Sequence, residues 1–187
     1  MSSTPKQDPK DRRVVDNLIR TGIVITCITL PLGYYIMPEP TIRLETAWER
    51  IVFTLRWQTL SMFTLLFALQ RVMTLRHTTV AINPITGNGE KYLEVDSRCL
   101  QNTFEQFVVN VFGQLVLATF LEDSLQKLIP VLVLYFVVAR ALFYFGYRRD
   151  PLKRALGMSM SHAPNLGVYL YIVYCLICYG PLYGLKP

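Results

Sequence analysis

Arg98, Asn102 and Glu105 stand at i, i+4 and i+7 in the stretch RCLQNTFEQFVVNVFGQLVLATFL, residues 98–121. At about 100° per residue, a helix carries all three on one stripe roughly 60° wide. The second half of the stretch is almost purely apolar and fits a lipid environment. Glu105 lies seven residues beyond Arg98, roughly 10 Å deeper along a helix. An ionised carboxylate at that depth costs on the order of 3 kcal/mol or more unless it is paired. In the next apolar segment Arg140 lies seven residues in from Tyr147, at the same depth. Depth matching therefore predicts an ion pair between Glu105 and Arg140. A pair that served only to set helix register would explain Glu105 better than it explains Asn102 and Arg98 on the same stripe.

The alternative is a polar pocket at one end of the apolar segments, built from Arg71, Arg76, Arg98, Asn102, Glu105, Tyr147 and Arg154. Arginines grip carboxylates through paired N–H donors. A carboxylate meets an ammonium and an amide meets a peptide group. Glutathione, a small anionic tripeptide with a free amine, has all of these features.

These residues need helices in a bilayer to position them. The chain has 187 residues, 52% of them hydrophobic and 17% charged. Its mean hydropathy is positive and its apolar residues are clustered, the composition of a one-domain integral membrane protein. The net charge of +6 does not form a nucleic-acid stripe, because the cations gather between apolar segments. Five segments are long and apolar enough to span, at about 18–37, 48–76, 98–121, 128–147 and 165–185.

Residues 1–16 are polar and are expected to be mobile, and 17–47 hold an additional first helix and its connection. That helix reads as retained, not as a cleaved signal, with a kink or early end at Pro31 and Gly33. Residues 77–97 form a polar connection with a turn at Gly87-Asn88-Gly89. Arg56 reads as a side chain that snorkels to the interface near Trp48 and Trp57. Cys27, Cys99, Cys175 and Cys178 read as small buried packing residues, and no metal set is expected. With a cytoplasmic N-terminus, twelve basic residues lie on the cytoplasmic side against four opposite, Arg43, Arg50, Lys127 and Lys186. That bias predicts the N-terminus inside and the pocket facing the cytoplasm.

RCLQNTFEQF resembles the R-x-x-x-N-x-x-E signature of the membrane-associated proteins in eicosanoid and glutathione metabolism, the MAPEG family. ARALFYFGYRRDPLKR, residues 139–154, resembles that family's A-R-x-x-Y-x-x-G-Y segment with a basic residue seven positions later. The resemblance covers about residues 48–185 and implies an all-α four-helix core, usually a homotrimer. It implies glutathione contacts from Arg98, Asn102, Glu105 and Tyr147, and a thiolate-stabilising role for Arg154. Two positions depart from the pattern: Gln106 and Phe143 stand where tyrosines are common. The fifth, N-terminal helix is closer to a divergent, mattrin-like branch. That branch implies secretory-pathway membranes, endoplasmic reticulum or Golgi, and regulation of receptors such as Frizzled. The enzymatic alternative is glutathione transfer or peroxide reduction on a lipophilic electrophile.

Overall fold

The computed structural model describes residues 8–83, 85 and 89–183. Lys6, Lys186 and the Gly87-Asn88 part of the expected turn lie outside the described residues. The chain forms α1 (Pro9–Ile36), α2 (Ala47–Thr78), α3 (Glu90–Phe120), α4 (Leu128–Arg149) and α5 (Arg154–Tyr179), with single 3₁₀ turns at Val80–Ile82, Asp123–Leu125 and Pro151–Lys153. All five helices are long and apolar enough to cross a membrane.

Local chemistry sets where they start. Asp8 caps α1 by accepting from the Lys10 N–H at 2.9 Å, with Pro9 in the first turn. Residues 9–16 are therefore helical, where a mobile tail was expected. The helix also continues through Pro31 to Ile36. Thr46 and Glu49 form a reciprocal capping box at the start of α2. Gly89 begins α3 at φ +84°, a left-handed conformation that suits glycine, and a Cβ there would lie 2.9 Å from the Ala81 nitrogen. Asp150 ends α4 and accepts from the Leu152 N–H at 2.9 Å, so the chain turns at once into α5. The fifth helix thus begins at Arg154, eleven residues before the apolar run that announced it, and passes through Pro164.

The core pairs α2 with α3 and α4 with α5, while α3 lies along α5 and α2 along α4. Helix α1 lies outside this core, against α5 and α4. Its Gly22 meets Ser159 and the Leu156 carbonyl of α5, and its Thr26 hydroxyl lies 2.6 Å from the Tyr135 hydroxyl of α4. Small residues permit such close helix approach.

Along much of the bundle, apolar side chains face outward and polar ones inward. Leu55, Phe63, Phe112, Val138 and Leu170 face outward. Thr54, Gln58, Asn110, Gln114, Ser161 and Asn165 face inward. Lipid gives no partner to a polar group, and three of these side chains turn to each other. Gln58 donates to Gln114 at 2.8 Å, Gln114 to Asn110 at 2.8 Å, and Asn110 back to Gln58 at 3.2 Å. The result is a closed three-amide ring between α2 and α3. Beyond it, Leu117, Ala118, Leu121, Ile129, Leu132, Val133 and Ile172 form an apolar plug. Of the cysteines, Cys99 and Cys175 are buried as expected, whereas Cys27 and Cys178 are exposed.

Candidate functional site

α2 and α4 end where α3 and α5 begin, and most of the arginines collect at this end of the bundle. Its centre is Asp96, which is 6% exposed on the inward face of α3. The Asp96 Oδ1 lies 3.4 Å from Arg148 Nη1 of α4 and 3.9 Å from Arg71 Nε of α2. Tyr144 completes the cluster: its hydroxyl donates to Asp96 at 3.3 Å and accepts from Arg71 Nε and Arg148 Nη1 at 3.1 Å each. One carboxylate facing two guanidiniums leaves an excess positive charge. Among the described residues Arg71 is held through Nε alone, so its terminal Nη1/Nη2 fork is left for an outside acceptor. A fork of this kind matches a carboxylate or phosphate.

Asp96 was assigned to the polar connection because the third helix was expected to begin at Arg98. The helix begins eight residues earlier, at Glu90. The signal was nevertheless present in the spacing. Asp96, Cys99, Thr103, Gln106 and Asn110 recur at three and four residues, and all five are buried.

Two further arginines at this end have acidic neighbours on α3. Arg76 Nη1 lies 3.5 Å from Glu90, and Arg98 Nη2 lies 2.9 Å from Glu94 one turn back on the same helix. Tyr147 is buried against Phe143 and Cys99. The Arg154 guanidinium sits over the Tyr147 ring at 4.8 Å, a cation–π contact that aims the arginine.

The Arg98–Asn102–Glu105 stripe does not converge on a single partner within the chain. Asn102 turns inward and accepts from Arg140 Nη1 at 3.1 Å. Arg98 and Glu105 are exposed. Glu105 accepts from Gln101 at 3.1 Å.

The expected Glu105–Arg140 ion pair does not form among the described residues. Arg140 is 3% exposed. Its Nη2 donates to Thr103 at 2.8 Å and its Nη1 also reaches Ser161 at 3.5 Å. The Phe143 ring lies 4.0 Å below the guanidinium. Thr103 and Glu105 are two residues apart, about 200° around a helix. Once α3 turns Thr103 toward Arg140, Glu105 points away. Arg140 reaches α3 at the level of Asn102 and Thr103, and the rotation of α3 decides which side chain meets it. Arg140 Nε remains buried without a hydrogen-bond acceptor.

The site residues named from sequence therefore do not form one cluster. Arg71 joins a cluster with Asp96, Tyr144 and Arg148. Asn102 belongs with Arg140 deeper in the core, and Tyr147 belongs with Arg154. Arg76 pairs with Glu90, and Arg98 and Glu105 stand exposed on the outer side of α3.

The family model described as MAPEG family matches residues 54–174. Transmembrane protein 79 of Mus musculus is 23% identical over 169 residues, covering 90% of this chain and 43% of that protein. Transmembrane protein 79 of Bos taurus is 22% identical over 169 residues, covering 90% and 42%. The chain spans less than half the length of these curated relatives. A match over nine-tenths of the chain extends beyond the family segment into the first helix. No solved structure matches the chain.

Proposed function

The chain belongs to the MAPEG family, and from that premise we propose a mattrin-like regulator of membrane receptors such as Frizzled, or of their trafficking through endoplasmic reticulum and Golgi membranes. In this reading the protein keeps a glutathione pocket that opens to the cytoplasm. The relatives' match across the first helix supports the mattrin-like branch. The twelve-to-four distribution of basic residues supports a cytoplasmic N-terminus and, with it, a cytoplasmic arginine-rich end.

The observation that carries the pocket is the open fork of Arg71, held in place through Nε by Tyr144 and Asp96. A glutathione carboxylate fits it. Arg148 and Arg76 add positive field, and Arg154 stands ready for the thiol. The protein acts as a homotrimer. Gln101 and Glu105 are exposed in the single chain, more than ten residues into α3, where lipid cannot satisfy them. A second copy covers them and brings Arg98 and Glu105 to the pocket's edge.

Calorimetry and thermal unfolding of the purified protein with millimolar glutathione test this. Wild type should bind and be stabilised. Arg71→Ala should weaken binding by about 1.5–3 kcal/mol, the size of a lost charge-assisted hydrogen bond. No heat and no stabilisation in the wild type would remove glutathione from the reading.

One observation favours the enzymatic alternative, transfer of glutathione to a lipophilic electrophile or reduction of a lipid peroxide. An apolar groove of about 500 Å³ runs between α1 and α5, and its lining includes Arg154. A guanidinium beside a glutathione sulfur favours the thiolate, the nucleophilic form. In this alternative, Arg154→Ala abolishes the ultraviolet thiolate band while leaving affinity nearly intact. A wild-type complex without that band would leave the regulator alone.

A further inference from the structure

A second cavity lies at the opposite end of the bundle from the arginine-rich cluster. It measures about 580 Å³ and is lined by residues 37–44, the first turns of α2 and the start of α4. Its wall is mainly apolar, with Val52, Phe53, Trp57 and Pro130. Charged side chains stand among them. Glu39 lies 3.6 Å from Lys127 Nζ, and that ammonium also lies over the Tyr34 ring at 4.6 Å. Glu49 is occupied by the capping box and accepts the Thr46 N–H at 2.9 Å.

Arg43 and Arg56 also line the cavity. Both are exposed, and neither has a carboxylate within ion-pair distance among the described residues. Both acids in the wall are engaged while two guanidiniums are not, so the free charge of the cavity is positive. Arg56 stands ten residues past the Thr46 cap, about 15 Å along α2. Trp48 and Trp57 mark this level as a membrane–water interface. A guanidinium that snorkels to this level stands where lipid phosphates lie.

We propose that this cavity binds one anionic glycerophospholipid, with its phosphodiester between Arg43 and Arg56 and its first acyl carbons against Phe53, Trp57 and Pro130. Arginine suits the task because its fork takes two phosphate oxygens at once. The apolar wall supplies what a soluble phosphate cannot use, so the occupant is a lipid. The site depends on the connection that the additional first helix brings, and it is independent of glutathione at the other end.

Native mass spectrometry of the whole protein in detergent tests the assignment, with phosphatidylglycerol, phosphatidylcholine and inorganic phosphate as probes. Wild type should retain one phosphatidylglycerol per chain, at least about fivefold more strongly than phosphatidylcholine. Arg43→Ala and Arg56→Ala should each reduce that retention about fivefold, the effect of one basic residue at an anionic surface. The double variant should lose the preference while keeping the wild-type circular dichroism spectrum. Arg12→Ala/Arg13→Ala, at the start of α1, should leave it unchanged. Equal retention of the two lipids, or a double variant that behaves as wild type, overturns the proposal. Displacement of the lipid by inorganic phosphate overturns it too, since the apolar wall would then contribute nothing.

Discussion

Arg140 Nη2 of α4 donates to Thr103 Oγ1 of α3 at 2.8 Å, deep inside the bundle. With Asn102 and Ser161 at Nη1, a buried guanidinium is held by neutral oxygens and an aromatic face, not by a carboxylate. Arg140→Leu and Thr103→Val should therefore be non-additive, with a coupling of about 0.5–3 kcal/mol in a thermal double-mutant cycle. Arg140→Leu and Glu105→Gln should add to within about 0.5 kcal/mol. Strong coupling in the second cycle would restore the pair that depth matching suggested.

Asp96 is the only carboxylate recorded within ion-pair distance of Arg71 and Arg148 among the described residues. Asp96→Asn keeps the shape and removes the charge. It should cost about 1–3 kcal/mol of stability, since it weakens hydrogen bonds to charged groups. It should not reduce the affinity for glutathione, because it leaves both guanidiniums in place for an outside anion. A variant as stable as wild type would show that Tyr144 alone organises the cluster.

Each member of the Gln58–Asn110–Gln114 ring both donates to one neighbour and accepts from the other. Removing one member leaves a buried donor and a buried acceptor without partners. Gln58→Leu should cost about 1–3 kcal/mol. Gln58→Leu with Gln114→Leu should cost less than the sum, because the second change removes a group already stranded. Unfolding in detergent followed by circular dichroism measures both. Additive losses would mean that the three amides act separately.

Gly157 and Gly167 lie on the same helix and should respond in opposite directions. A Cβ on Gly157 would lie 2.6 Å from the Ala139 carbonyl and would also strike the Phe143 backbone nitrogen. Backbone cannot step aside, so Gly157→Ala should separate α4 from α5 and cost about 1–3 kcal/mol. A Cβ on Gly167 meets nothing within 4 Å. Gly167→Ala should stabilise by about 0.5–1 kcal/mol through helix propensity. Equal effects at the two positions would contradict the α4–α5 crossing.

The orientation is open to labelling. Ser124 and Lys153 are exposed in turns at opposite ends of α4. In a background with the four native cysteines changed to serine, Lys153→Cys should react with an impermeant maleimide from the cytoplasmic side, and Ser124→Cys only from the other. The reverse pattern would turn the arginine-rich end away from cytoplasmic glutathione.

Sequence alone was sufficient for the five spans, the all-α class and the family. These depend on quantities that are local along the chain: apolar run length, cap residues, and the spacing in RCLQNTFEQF and ARALFYFGYRRDPLKR. Helix ends were less legible. Apolar runs report only the part of a helix that lipid touches. α3 begins with Glu90 and Lys91, and α5 begins at Arg154, both in polar stretches that read as connections. That error hid Asp96 from the site.

Which side chains meet was decided by tertiary structure. Arg140 and Glu105 lie seven residues in from Tyr147 and Arg98 respectively, and such a spacing can be counted along the chain. Whether they touch depends on how α3 is rotated about its axis, where one residue is worth about 100°. That rotation is set by the whole interface at once, by Asp96 toward Arg148, Thr103 toward Arg140 and Asn110 toward Gln58. Arg56 shows the same limit in reverse. Its position marked it as an interface residue, but only the fold of residues 37–44 against α2 and α4 gave it a cavity and a neighbouring Arg43. A linear pattern carries the period and depth of each helix. The angle at which each helix faces its neighbours emerges only when all the buried polar groups must find partners together.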